Sequence, residues 1–63
     1  MTKTEIKQAR VTAGDTQKSA AERIGAKLRT WQDWEYGKRN MPAAKFKLYL
    51  IETGQHEAFI HTP

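Results

Sequence analysis

Four glycines, at positions 14, 25, 37 and 54, divide the 63-residue chain into four short segments and a C-terminal tail. Within each segment the apolar residues recur at the three- and four-residue spacing of a helix that is buried on one side. β-branched residues are few and do not alternate, so the strand signal is weak. Glycine ends a helix at low cost because it tolerates the left-handed conformation. The sequence therefore predicts an all-α fold with helix boundaries near these glycines.

The predicted helices have recognisable starts. Thr2 or Thr4 can cap the first helix, and Asp15 or Thr16 can cap the second. The third is expected from about position 27 to position 36, and the fourth has Pro42 in its first turn. Residues 56–61 fit either one more helical turn or a short strand, so we predict a compact domain of four to five helices. The residues assigned to one face of the first three helices are Ile6, Ala9, Ala13, Ala20, Ala21, Ile24, Trp31 and Trp34, and the fourth helix carries Ala43, Phe46, Tyr49, Leu50 and Ile51.

The short length allows one domain, residues 1–63, and the absence of cysteine excludes disulfides and a cysteine-based zinc site. No apolar run is long enough to span a membrane, and the N-terminus lacks a signal peptide, so we expect a cytoplasmic protein. His56 and His61 alone make a poor metal site. No nucleophile–base set, carboxylate pair or phosphate-binding glycine loop is present. We therefore expect no enzyme activity, cofactor, metal or small-molecule ligand.

Positive charge is concentrated in the middle of the chain. The formal net charge is +4, and residues 16–47 contain eight lysines and arginines against three acidic residues. Residues 48–63 contain two glutamates and no basic residue. A concentrated basic surface favours polyanions, because lysine and arginine release the counterions condensed on phosphates. The alternative is an ordinary solvated surface, and charge by itself does not decide between them.

The two short helical segments that meet at Gly25 predict a helix-turn-helix, a motif that lays its second helix in the DNA major groove. On a helical wheel Trp31 and Trp34 face one side of the third helix. The opposite side carries groups suited to base edges: arginine pairs with guanine, glutamine with adenine, and aspartate accepts from cytosine. The residues on that outer side are Leu28 at the flank, Arg29, Gln32, Asp33 and Tyr36.

The segment TQKSAAERIGAKLRTWQDWEYGKRNMP, residues 16–42, resembles the Cro and repressor DNA-binding domains of lambda-like phages and the wider XRE family. The resemblance covers about residues 5–53. It rests on a Thr-Gln opening, an alanine in the first motif helix, a turn glycine, a Trp-Glu-x-Gly-Lys-Arg segment and a proline. These are Thr16, Gln17, Ala21, Gly25, Trp34, Glu35, Gly37, Lys38, Arg39 and Pro42.

The resemblance implies a lambda repressor-like fold and a sequence-specific regulator of transcription, with the helix-turn-helix at about residues 16–36. It implies an internal salt bridge between Arg10 and Glu35, and phosphate contacts from Gln17, Lys38 and Arg39. The residues that would contact bases are Lys27, Leu28, Arg29, Gln32 and Asp33.

Two residues depart from the family pattern. Lys27 stands where serine or threonine usually caps the recognition helix. Trp31 stands where a smaller aliphatic residue is usual, so we expect a core reshaped around it, which the small Ala20 and Ala21 permit.

The resemblance also implies a homodimer, weak without DNA, on a pseudo-palindromic double-stranded operator. Phe59 and Ile60 in the acidic tail, residues 55–63, are the candidate interface, unless they cover the core of a monomer. The same small fold also occurs in antitoxins, so a protein-interaction module is the alternative function.

Overall fold

The computed structural model describes residues 2–55, and helices make up most of this range. Their bounds are α1 Lys3–Ala13, α2 Gln17–Arg23, α3 Leu28–Glu35 and α4 Ala43–Glu52. No strand occurs within residues 2–55, which confirms the all-helical prediction for this part of the chain. The radius of gyration of 10.7 Å is that of a compact chain of this length. The possible fifth helix at 56–61 lies outside the described residues.

Side-chain caps fix the starts of the first two helices. Thr2 Oγ1 accepts a hydrogen bond from the Glu5 backbone N–H at 3.2 Å, and Glu5 Oε1 accepts one from the Thr2 N–H at 2.7 Å. Thr16 and Ser19 form the same reciprocal arrangement at the start of α2. Each pair satisfies two amides that the helix leaves without partners. Of the alternatives in the sequence, position 2 caps α1 and position 16 caps α2.

The fourth helix begins one residue later than predicted. Pro42 has φ −58° and ψ 136°, so it is the N-cap and does not lie in the first turn. Its carbonyl already accepts the Phe46 N–H at 3.1 Å, which starts the helical hydrogen-bond pattern at Ala43. Proline has a fixed φ near −65° that suits either position, and here ψ is extended.

The core forms around Trp31, which is completely buried. Its ring lies 6.0 Å from that of Trp34 and 5.0 Å from that of Tyr49, measured between centroids. The buried Ala20 and Ala21 belong to the same cluster, which agrees with the expectation that small residues accommodate the large indole. Within residues 2–55 the buried apolar residues are Ile6, Ala9, Ala20, Ala21, Ile24, Trp31, Trp34, Met41, Phe46, Tyr49 and Leu50.

Two of the apolar residues that α4 carries are exposed. Ile51 is 51% exposed and Ala43, the first residue of the helix, is also exposed. The buried face of α4 is centred on Phe46, Tyr49 and Leu50, and each residue turns the helix by about 100°. Ile51 therefore falls beside that face, and Met41, which precedes the helix, fills the core in its place.

A tight turn joins α2 to α3. Ile24 ends α2, and the Ala26 N–H donates to the Ala21 carbonyl at 2.9 Å. Gly25, between them, has φ +71°, a conformation that costs glycine little. The turn places α2 and α3 in contact along their buried sides. No helix in the described range is long and apolar enough to cross a membrane.

Candidate nucleic-acid interface

The two sides of α3 differ as the sequence predicts. Trp31, Trp34 and Glu35 are buried on the inner side. On the outer side the Arg29 side chain is 80% exposed, and Leu28 is also exposed. The helical spacing of the two tryptophans thus gives α3 one largely apolar face and one polar face. Leu28 and Arg29 are therefore accessible to a partner molecule, whereas Gln32 and Asp33 are partly buried.

Gln17, at the first turn of α2, is hydrogen bonded to the outer side of α3. Gln17 Oε1 accepts from Gln32 Nε2 at 3.2 Å, and Gln17 Nε2 donates to the Tyr36 hydroxyl at 3.3 Å. These bonds bring together three side chains that the sequence predicts near DNA. They also hold the start of α2 against the second half of α3.

The loop after α3 is attached to the same face. The Asp33 backbone carbonyl accepts from the N–H groups of Lys38 and Arg39 at 2.8 and 3.2 Å. The Asp33 carboxylate lies 3.5 Å from the guanidinium of Arg29, and the Asp33 side chain is 16% exposed. Asp33 therefore holds Arg29 on the face, and a direct contact of Asp33 with cytosine requires that this ion pair open.

Cationic side chains lie at both ends of this face without partners. Lys27, the N-cap of α3, and Lys38 and Arg39 in the following loop are exposed. None of them forms an ion pair within residues 2–55. Unpaired surface cations keep their full charge available for an anionic ligand. The candidate interface thus has a polar centre on α3 and positive charge at both ends.

Beneath this surface Arg10 and Glu35 form the salt bridge that the resemblance implies. The guanidinium donates two hydrogen bonds to the Glu35 carboxylate, both 2.8 Å long, and Trp31 Nε1 donates a third at 2.7 Å. Burial by itself raises the pKa of Glu35, but the bonds from Arg10 and Trp31 outweigh it and the pKa is lowered. Glu35 is therefore an ionised internal anchor.

A second ionic cluster was not predicted. Asp15 accepts two hydrogen bonds from Arg23, at 2.7 and 2.9 Å, and one from the Tyr49 hydroxyl at 2.8 Å. The bonds from Arg23 are the main cause that lowers the Asp15 pKa to about 2. Burial, followed by the bond to Asp15, raises the pKa of Tyr49. At Asp15 the sequence predicts only a helix cap. Its partner Tyr49 lies 34 residues away along the chain, and no sequence pattern connects the two.

The structure adds two lysines from α1 that the sequence did not associate with this surface. Lys3 and Lys7 line a shallow groove together with Tyr36 and Glu35. Periodicity placed them on the first helix, but it did not show which part of the molecule that helix covers. Both lysines therefore add positive charge next to Tyr36, at the end of α3.

No group of three metal-ligating side chains occurs among residues 2–55. His56 and His61, like Phe59 and Ile60, lie outside the described residues. Comparison with protein-family models, with curated proteins and with solved structures finds no significant match for this chain. What the chain binds is therefore inferred from its own side chains.

Proposed function

We propose that this chain is a sequence-specific, double-stranded DNA-binding regulator of transcription, a Cro-like repressor of the helix-turn-helix type. In this proposal α2 and α3 are the motif helices, and the protein works as a dimer on a pseudo-palindromic operator. It acts in the cytoplasm of its host without enzyme activity, cofactor, metal or small-molecule ligand. The observation that carries the proposal is the polar face of α3, with its exposed Arg29 and, at both ends, cations that form no ion pair within residues 2–55.

The dimensions of α3 suit the major groove. An α-helix with its side chains is about 10–12 Å across, and the major groove of B-DNA is about 12 Å wide. Arg29 projects from the first turn, where recognition helices usually meet base edges. Arginine can bind both acceptors of guanine, and Leu28 beside it offers an apolar contact for a thymine methyl group. Lys27 and Asp33 complete the set of base-contact candidates.

Gln17 supports this arrangement in two ways. Its amide oxygen holds Gln32, which fixes the orientation in which Gln32 presents its own amide to a base. It also lies at the start of α2, where the family resemblance implies a phosphate contact. Lys38 and Arg39 hold phosphate at the other end of α3. Phosphate contacts fix the register of α3 in the groove and the base contacts supply the sequence preference.

A protein-interaction module of the antitoxin type is the second candidate, and one observation favours it. Leu48 and Ile51 are exposed large apolar residues three positions apart on α4, so they lie on one side of that helix. Exposed apolar side chains are normal when scattered, but a pair on one helix face can bind a protein partner. The α3 face, by contrast, has no role in this alternative.

The first experiment selects bound sequences from random duplex DNA and then measures the dissociation constant across a salt series. We expect Arg29→Ala to weaken binding to the selected site by about 1–3 kcal/mol and to relax the preference at one base pair. We expect Lys38→Ala to weaken all sequences alike and to reduce the salt slope by about one.

Lys47→Ala is a matched control, because this exposed lysine of α4 forms no part of the α3 surface. It removes the same charge as Lys38→Ala and should leave both the affinity and the salt slope close to those of the wild type. The proposal is wrong if no duplex is enriched, or if Arg29→Ala leaves the preference at every position unchanged. Binding of a protein partner without DNA binding would favour the antitoxin-type module.

A further inference from the structure

We propose that Lys3 and Lys7 of α1 form, with Tyr36, a second phosphate-binding surface that holds the DNA backbone beside the α3 face. This inference rests on the proposed function and names a part of the contact that neither the sequence motif nor α3 supplies. It adds α1 to the proposed contact with DNA, which otherwise consists of α2, α3 and the loop after α3.

Lys3 is positioned by the turn that follows α3. A Cβ atom at position 37 would lie 3.0 Å from Lys3 Cδ, so glycine leaves the space that the lysine stem occupies. Gly37 also has φ +79°, which a side chain would strain. The stem of Lys3 thus lies across the turn, and lysine stems commonly cover such surfaces while the ammonium group stays in water.

Two grooves meet at this lysine. On one side Lys3 lines a groove with Arg39 and Asn40 of the loop before α4. On the other side it lines the groove that contains Lys7 and Tyr36. The α1 lysines therefore extend the positively charged surface of the loop, whose cations the proposed function assigns to phosphate. Tyr36 connects them to the α3 face, because its hydroxyl accepts from Gln17.

The charge in these grooves is available to a ligand. Lys3 and Lys7 form no ion pair within the described part of the chain. Glu35, which also lines the groove of Lys7, binds Arg10 and Trp31, and its side chain is 3% exposed. Glu5, between the two lysines in sequence, accepts from the Thr2 backbone N–H. The surface therefore has positive charge, a hydroxyl and little opposing charge.

The spacing of the lysines fits a DNA strand. Residues four apart on a helix have Cβ atoms about 5–6 Å apart on the same side. One strand of B-DNA carries a phosphate about every 3.4 Å along the helix axis, so two flexible ammonium groups at this spacing can contact neighbouring phosphates. Such contacts carry no base information, and we expect them to add affinity without changing sequence preference.

The test compares the double variant Lys3→Gln/Lys7→Gln with Lys45→Gln/Lys47→Gln, which removes equal charge from exposed positions on α4 that line neither groove. Glutamine keeps the helix propensity close to that of lysine. On the selected duplex we expect the α1 variant to reduce the salt slope by about two, since each phosphate contact contributes about 0.9. The selected sequence preference should not change, and the α4 variant should keep the wild-type slope.

Three further measurements make the result specific. Circular dichroism must show that both variants keep the wild-type helix content. Lys3→Arg/Lys7→Arg should restore the slope, because the charge returns. Ethylation interference on the wild type should identify phosphates whose modification no longer matters in the Lys3→Gln/Lys7→Gln variant.

The outcomes separate this inference from the proposed function. If the wild type binds no duplex, the proposed function itself is wrong. If the wild type binds and Arg29→Ala relaxes the preference, but the α1 and α4 variants have the same salt slope, the α1 surface does not contact DNA. A salt slope that is reduced in Lys3→Gln/Lys7→Gln and recovers in Lys3→Arg/Lys7→Arg supports the inference.

Discussion

Asp15 and Glu35 are the carboxylates that connect the helices of this small domain. Glu35 in α3 binds Arg10 of α1 and Gln17 of α2, and it lies under the proposed DNA surface. Asp15, between α1 and α2, binds the Tyr49 hydroxyl of α4. A chain this short buries a small core, so each of these connections is a large fraction of the total stability.

The Asp15 cluster makes stability depend on pH in a defined window. The pKa of Asp15 is about 2 in the folded protein, against about 3.9 in an unfolded chain. A lowered folded pKa means that the stabilisation is fully present above about pH 4 and is lost as the pH falls from about 4 to about 2. We expect Asp15→Asn to lower the free energy of unfolding at pH 7 and to make its decrease between pH 4 and pH 2 shallower, as measured by urea unfolding.

Asp33→Asn is the control for this prediction. The arginine that pairs with Asp33 is 80% exposed, whereas the arginine that pairs with Asp15 is 39% exposed. Exposed ion pairs contribute little, about 0–1 kcal/mol, so this variant should unfold with a pH profile close to that of the wild type. An Asp15→Asn profile that stays parallel to the wild type between pH 4 and pH 2 contradicts the prediction. Some slope should remain, because Glu35 also titrates from a lowered pKa.

The sequence predicts a contact between two residues only where a known pattern identifies both partners. Arg10 and Glu35 were paired through the family resemblance, and the structure confirms the pair. The bond from Trp31 Nε1 to Glu35 was not predicted, although it gives the buried indole N–H the partner that such a group requires. The Tyr49–Asp15 bond was missed for the same reason: it depends on how α4 packs, and periodicity carries no information about distant partners.

At the scale of the elements, α3 differs from α1 and α2 in lacking a side-chain cap. Lys27 is its N-cap residue and forms no capping hydrogen bond, which agrees with the departure noted in the sequence. Serine, threonine, aspartate or asparagine at this position would stabilise the helix by about 1 kcal/mol. The presence of lysine at this position fits a residue that contacts DNA at the expense of stability.

Lys27→Ser should therefore separate stability from binding. We expect the free energy of unfolding to rise by about 0.5–1 kcal/mol, because the serine hydroxyl can accept from a first-turn amide of α3. We expect affinity for the selected duplex to fall, because a cation at the end of the α3 face is lost. Urea unfolding and titration of labelled DNA measure the two effects.

Lys27→Ala is the matched variant, since it removes the charge without adding a cap. It should weaken DNA binding as much as Lys27→Ser does, and it should not stabilise the fold. If both variants bind the duplex as tightly as the wild type, Lys27 makes no contact with DNA. If serine fails to stabilise relative to alanine, the turn geometry at Ala26 prevents the cap from forming.

Element boundaries were predictable where glycine or a capping residue marks them. Gly14, Gly25, Gly37 and Gly54 all have positive φ, as expected of glycines placed at helix ends. The start of α4 was predicted one residue too early, because Pro42 is its N-cap, and the sequence did not indicate that Ile51 is exposed. A run of apolar residues does not by itself show which of them face the core. The α1 surface was missed likewise, because only tertiary packing sets Lys3 over Gly37.

At the scale of the whole molecule, one copy of this chain offers a single short α3 face. A handful of base contacts specifies too few base pairs for a unique operator, which is why related motifs pair two copies on half-sites about 34 Å apart. A compact molecule with a radius of gyration of 10.7 Å can occupy each of two such half-sites on one side of the duplex. The proposed dimer then forms mainly on DNA, where the two half-sites bring the copies together.

The last prediction concerns the surface through which the copies meet. Phe59 and Ile60, outside the described residues, are the proposed interface, and Ile51 on α4 is the exposed apolar alternative. On a duplex with two half-sites we expect wild-type binding at least tenfold tighter than on one half-site, a gain of about 1.4 kcal/mol. Phe59→Asp should remove this gain while sparing half-site binding and the thermal transition, and Ile51→Asp should keep it.

Loss of the gain in Ile51→Asp alone places the interface on α4, and unfolding of Phe59→Asp assigns that residue to the core. Equal binding of both duplexes by the wild type contradicts the dimer itself, because two linked contacts must bind more tightly than one.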